Sequence, residues 1–140
     1  MVNANQDVSV DEQRLWHSLG CDAAEDVMRL VRHRDVVHYP VLAAAIVTKR
    51  AWIRGEAPTV EITAVWQETY DITESLPYQS LRWWLCRTVA LACHPVPYYA
   101  AAECARSAVW TADDVGCAGR WVADHADLYH VARSAGVDVP

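Results

Sequence analysis

Residues 77–94 read PYQSLRWWLCRTVALACH, and the spacing of their apolar side chains decides the fold class. Leu81, Trp84, Leu85, Thr88, Leu91 and Ala92 recur at the three- and four-residue intervals of one helix face. Trp83, Cys86, Ala90 and Cys93 make a second face about 100° away. A helix that is apolar on both sides belongs in the middle of its domain. Pro77 opens this element, and Pro95 and Pro97 break it.

The flanking sequence repeats the helical pattern. Pro58 introduces 59–72, with a stripe at Ile62, Val65, Trp66, Thr69 and Ile72. Thr59 to Thr63 also alternates, and its β-branched residues suit a strand. Few glycines, no hairpin turn and no partner strand elsewhere favour the helix. Upstream, Pro40 starts a helix carrying Leu42, Ala45, Ile46, Lys49, Trp52 and Ile53, which Gly55 closes. Asp22 with Glu25 three residues on is a capping-box pattern, predicting a helix that buries Ala23, Ala24, Val27, Leu30 and Val31. A short amphipathic turn around Leu15, Trp16 and Leu19 precedes it and ends at Gly20. Downstream, a sixth helix is predicted from about 98 to 111 and a seventh from about 113 to 135. The seventh carries a stripe of Ala118, Trp121, His125, Leu128 and Ala132, and Gly136 ends it. The expectation is an all-α, single-domain bundle of about six to seven helices over 11–140, with 1–10 as a flexible leader. An echo between His38–Ala45 and His94–Ala102, each followed by Arg, Ala and Trp, raises a duplicated helix pair.

The composition excludes several classes. Of 140 residues, 53% are hydrophobic and 21% charged, an ordinary balance for a globular domain. The formal charge of −6 argues against a general nucleic-acid binder. Arg82, Arg87 and His94 interrupt the longest apolar run, so no membrane span is expected. Residues 1–12 show no apolar signal segment, and the five cysteines form no CxxC pair. Reduced thiols in the cytoplasm follow from that reading. Seven tryptophans and no phenylalanine make the indoles the main large units available for a core.

Polar chemistry is sparse. Asp124, His125, Asp127 and His130 form the densest cluster, a composition able to bind zinc or to run acid–base catalysis. Helical geometry weakens it, because a five-residue spacing rotates His125 and His130 about 140° apart. His125 falls in the apolar stripe and reads as a core residue with one hydrogen bond. Cys93 and His94 are adjacent and so diverge on a helix, while burial would make the thiol inert. Arg29, Arg32, His33 and Arg34 form a small basic patch, flanked by Asp26 and Asp35 as ion-pair partners. Trp83 beside Trp84, and Tyr98 beside Tyr99, cannot all face one interior unless their helices are enclosed. An exposed indole and phenol patch is the composition of a protein interface.

The segment from Ala44 to Glu56, which ends Ala51-Trp52-Ile53-Arg54-Gly55-Glu56, resembles a group of small alanine- and tryptophan-rich helical immunity proteins. In that group a helix ending in AWxRGE precedes another helix. The run Ala90 to His94, followed by an alanine-rich helix with Trp110, is similar as well. The resemblance implies a toxin-neutralising role and carries over no functional residue. The long alanine repeats and basic C-terminal helix of that group are missing here. The sequence therefore reads as a non-enzymatic binding module for a protein partner, with contacts at Trp83, Tyr98, Tyr99, Arg29 and Arg32. It implies no cofactor and leaves self-association through exposed aromatics open. The competing reading is a small metal-assisted hydrolase or accessory enzyme subunit using Asp127 and His130, with Asp124 and His125 as further ligands.

Overall fold

The computed structural model describes residues 9–31, 34, 35 and 37–139. Among the described residues there are seven α-helices and no strand: α1 (Val10–Val31), α2 (Tyr39–Ile53), α3 (Thr59–Glu74), α4 (Leu81–Ala92), α5 (Cys104–Asp114), α6 (Ala118–Asp124) and α7 (Ala126–Ser134). A π-helical segment, Tyr99–Glu103, leads directly into α5. The all-α bundle read from the sequence is thus the fold, and 59–72 is helix rather than strand. Of the leader, residues 1–8 lie outside the described residues.

α4 packs against α1, α2, α3, α5 and the π segment, as its two apolar faces require. It starts at Leu81 rather than at Pro77, because the Ser80 hydroxyl caps it by accepting from the Trp83 amide at 3.2 Å. Thr88 and Ser107 tie α4 to α5 through a 2.9 Å hydroxyl contact, and the Ser107 hydroxyl also donates to the Trp84 carbonyl at 3.2 Å. Tyr129 fastens α7: its hydroxyl accepts from Trp121 at 2.8 Å and donates to the Ala105 carbonyl at 2.7 Å.

Four sequence expectations fail. The break expected at Gly20 is absent, and one 22-residue helix runs through it. A mid-helix glycine costs about 1 kcal/mol relative to alanine, but a β-carbon here would lie 1.8 Å from the Ala100 carbonyl oxygen. The glycine exists for that close approach. Asp22 and Glu25 consequently cap nothing; they hold Arg50 of α2, at 2.8 Å and 2.6 Å. The seventh helix divides at His125, whose φ of −121° and ψ of 41° leave the helical region. Leu30, expected inside, is exposed.

The core is not built from indoles. Only Trp83 and Trp121 count as buried; Trp16, Trp52, Trp66 and Trp84 are half-buried, and Trp110 is exposed. Where α1 meets the π segment and α5, at Gly20, Ala100 and Cys104, the buried residues nearby in sequence are instead small: Cys21, Ala23 and Ala24 in α1, Ala101 and Ala102 in the π segment, and Ala105 and Ala108 in α5. Such faces let backbones approach too closely for rings to fit between them, so most of the indoles pack around the outside. The two stretches of the sequence echo are also used differently: Ala100 to Ala102 are wholly buried, whereas Ala44 is exposed.

The chain's one lysine lies in this interior. Lys49 is wholly buried, donates to the His94 carbonyl just beyond the end of α4, and sits 4.8 Å from the Trp52 ring. An ammonium at that helix end complements its dipole. Burial nevertheless lowers Lys49 to about 8. Burial, with Lys49 and His94 nearby, lowers His17 to about 3, and burial beside Lys49 lowers His94 to about 4. Burial pushes the Cys21 thiol up to about 11, and raises Cys93 and Cys104 further.

Two predictions follow from this interior. Gly20→Ala should destabilise the fold by at least about 2 kcal/mol, as overpacking against backbone does, whereas Gly119→Ala, in open space within α6, should be neutral or stabilising; chemical denaturation distinguishes them. Stability should also peak near pH 8. The histidines have folded values below their unfolded ones, so their contribution is present above about pH 6.5 and is lost as pH falls toward their folded values. His17 alone contributes about 1.4 kcal/mol per pH unit in that window. The thiols have raised values, so their contribution is lost as pH rises past about 9. Lys49 opposes that loss with a single group. Urea melts from pH 4 to 10 test this, and a maximum at pH 5 would contradict it.

Candidate functional site

The largest surface hollows lie side by side along α3, α4 and α5. One, of about 650 Å³, is lined by Glu74, Tyr78, Trp83, Trp84, Trp110 and Asp113 among others; the second, of about 440 Å³, by Trp66, Tyr70, Leu91, His94 and Tyr99. Arg87, Glu103 and Arg106 line both, so the two form one groove. α4 supplies its floor, α3 one wall, and the π segment with α5 the other.

Ring contacts fix both ends. Trp83 meets Tyr78 edge-on at 4.9 Å and Trp84 at 4.8 Å, and Trp84 stacks on Trp110 at 5.8 Å. At the other end Trp66 stacks on Tyr70 at 5.6 Å and meets His94 edge-on at 5.1 Å, and His94 lies 4.7 Å from Tyr99. Offset and edge-on geometries are those that aromatic quadrupoles favour. The His94 Nδ1 accepts from the Val96 amide at 3.0 Å, which sets the ring at the point where α4 ends.

Charge divides between rim and middle. Of the exposed carboxylates of α3, Glu74 lines the groove, whereas Glu68 lines a separate hollow against α2. Asp113 and Asp114 close the far wall. Among the described residues, none of Glu74, Asp113 and Asp114 has a basic group within ion-pairing distance. Arg87 and Arg106 likewise have no carboxylate within that distance; the Arg87 guanidinium lies 5.4 Å from the Trp83 ring.

The residues singled out from the sequence separate. Trp83 and Tyr99 line this groove, although Trp83 is 7% exposed and serves as floor rather than contact, while Tyr98 stands behind Tyr99, edge-on at 5.3 Å. Tyr98 donates to Glu103 at 3.3 Å, while Tyr99 is 43% exposed. Arg29 lies elsewhere, paired with Asp26 and Glu25 on α1, and Arg32 lies outside the described residues. Tyr70, Tyr78, Arg87, Arg106 and Trp110 were not singled out. Their signal was absent because they come from separate segments of the chain with no common spacing.

The last-helix cluster does not converge. His125 is half-buried rather than in the core and makes two bonds: Nδ1 to the Trp121 carbonyl at 3.0 Å and Nε2 to Asp26 at 2.8 Å. Both bonds turn the ring toward α6 and α1 and not toward Asp124, Asp127 or His130. Burial tends to raise the Asp26 carboxyl, but His125 and Arg29 outweigh it and hold it below the usual range. Asp124 faces Arg120 at 3.7 Å, and Asp127 and His130 are exposed.

No protein-family profile, curated protein or solved structure matches this chain.

The indoles should separate by stability. Trp83→Ala is expected to cost about 3–5 kcal/mol and Trp110→Ala about 1 kcal/mol or less. Denaturation of each variant checks whether Trp110 is held for packing or is free for another use.

Proposed function

We propose that this chain is a non-enzymatic binding module that holds a cationic segment of a partner protein in the α3–α5 groove. One observation carries the reading: all four exposed aromatic side chains of the described residues, Tyr70, Tyr78, Tyr99 and Trp110, line this one groove. Scattered exposed apolar groups need no explanation, but grouped aromatics are the composition of interface hot spots.

The acidic rim supports a cationic occupant. Lysine and arginine side chains bind over indole and phenol faces, and the unpaired carboxylates of Glu74, Asp113 and Asp114 would meet them. Arg87 and Arg106, in the middle, can donate to the backbone carbonyls of an extended segment. The formal charge of −6 would speed encounter with a basic protein. A toxin-neutralising role is the concrete form of this reading, and the 44–56 resemblance supports it. Five free thiols, four of them buried, support action in the cytoplasm.

The test is affinity capture from the native host, followed by reconstitution with the purified partner. A stoichiometric complex is expected, weakened at least tenfold by Trp110→Ala with Tyr99→Ala and weakened by added salt. A complex indifferent to those substitutions, or self-association as the only association, would contradict the proposal.

A further inference from the structure

We propose that Asp35, His38 and Cys86 form a binding site for a divalent transition metal of the zinc class, where the turn into α2 meets the second turn of α4. Among the described residues, these three make the one group of carboxylate, imidazole and thiol ligands whose donor atoms all lie within 4.8 Å of one another. The Asp35 side chain is wholly buried, as is Cys86, while His38 is 21% exposed and gives the site its access to solvent. A mixed set of oxygen, nitrogen and sulfur donors suits zinc and rejects calcium or magnesium, which take oxygen alone.

The geometry needs only small adjustment. Asp35 Oδ2 and His38 Nδ1 are 2.8 Å apart and share a proton. Tetrahedral zinc sites, from their bond lengths, separate neighbouring ligands by about 3.4 Å. A metal in place of that proton would open the pair slightly and draw the Cys86 sulfur inward. The other Asp35 oxygen accepts from the His38 amide at 3.2 Å and from Arg82 at 3.4 Å. Those donors fix the carboxylate from behind, as outer hydrogen bonds do in metal sites.

Arg82 is the argument against a cation here, and charge counting answers it. Carboxylate and thiolate together cancel a divalent ion, leaving the guanidinium as the net charge, and its side chain is 42% exposed. A cysteine binds metal as thiolate, so each ion bound must displace the Cys86 thiol proton. The remaining imidazole proton then sits on Nε2. The burial of Cys86 rules out the trio as a hydrolase, because a substrate cannot reach that sulfur.

The experiment titrates the chelator-stripped full chain with Co(II), then displaces it with Zn(II) against a chromophoric chelator. One equivalent should bind, with a thiolate-to-cobalt band in the near ultraviolet and visible bands of tetrahedral intensity. One proton should be released per ion. Cys86→Ser should abolish the near-ultraviolet band, Cys117→Ser should keep it, and His38→Gln should weaken affinity at least tenfold. Absence of the thiolate band in the wild-type chain at one equivalent overturns the site whatever the variants do. So does a band that survives Cys86→Ser.

Discussion

The approach of α1 to the π segment at Gly20 is the constraint on which the rest of this structure depends. With no β-carbon at Gly20, the Ala100 carbonyl comes against the α1 backbone, and the wholly buried Cys104 sulfur reaches the Gly20 carbonyl at 3.7 Å and that of Thr88 at 3.5 Å. Methyl and thiol groups fill that interface because nothing larger fits. The indoles are displaced to the periphery, where α3, α4 and α5 hold them in a groove. A face of half-buried rings is thus the complement of a core of small groups.

The same packing governs the polar groups. Lys49 enters the interior because the end of α4 offers it a carbonyl, and its charge there adds to the burial that depresses the nearby histidines. Arg50, one residue on, points outward to Asp22 and Glu25 and ties α2 to α1. Neighbouring cations on one helix therefore serve opposite ends: one lies inside under a helix terminus, the other clamps two helices at the surface. Asp35 does a third job, joining the turn before α2 to α4 through His38 and Arg82.

Much of the fold was legible in the sequence because helical periodicity is a local signal. α2, α3 and α4 follow from it, with Pro40 and Pro58 as punctuation, although Ser80 rather than Pro77 opens α4. What was not legible came from tertiary contacts. Gly20 looks like a stop signal by local rules, and only the Ala100 carbonyl explains why the helix continues. His125 fitted an apolar stripe, yet its pull toward Asp26 and Trp121 accompanies a break in the helix. Tyr129 was invisible as a core residue until Trp121 and Ala105 supplied partners for its hydroxyl. The site was legible only in part: Trp83, Tyr98 and Tyr99 drew attention as adjacent aromatics, while Trp110 and Arg106 needed the helices to be brought together.

The most direct test of this organisation is a nuclear Overhauser spectrum of the native protein. Strong cross-peaks between the two Gly20 α-protons and protons of Ala100 and Cys104 are predicted, since residues 80 and more positions apart can give them only through this contact. Their absence, with a Gly20 amide that exchanges as fast as those at the helix ends, would contradict the account.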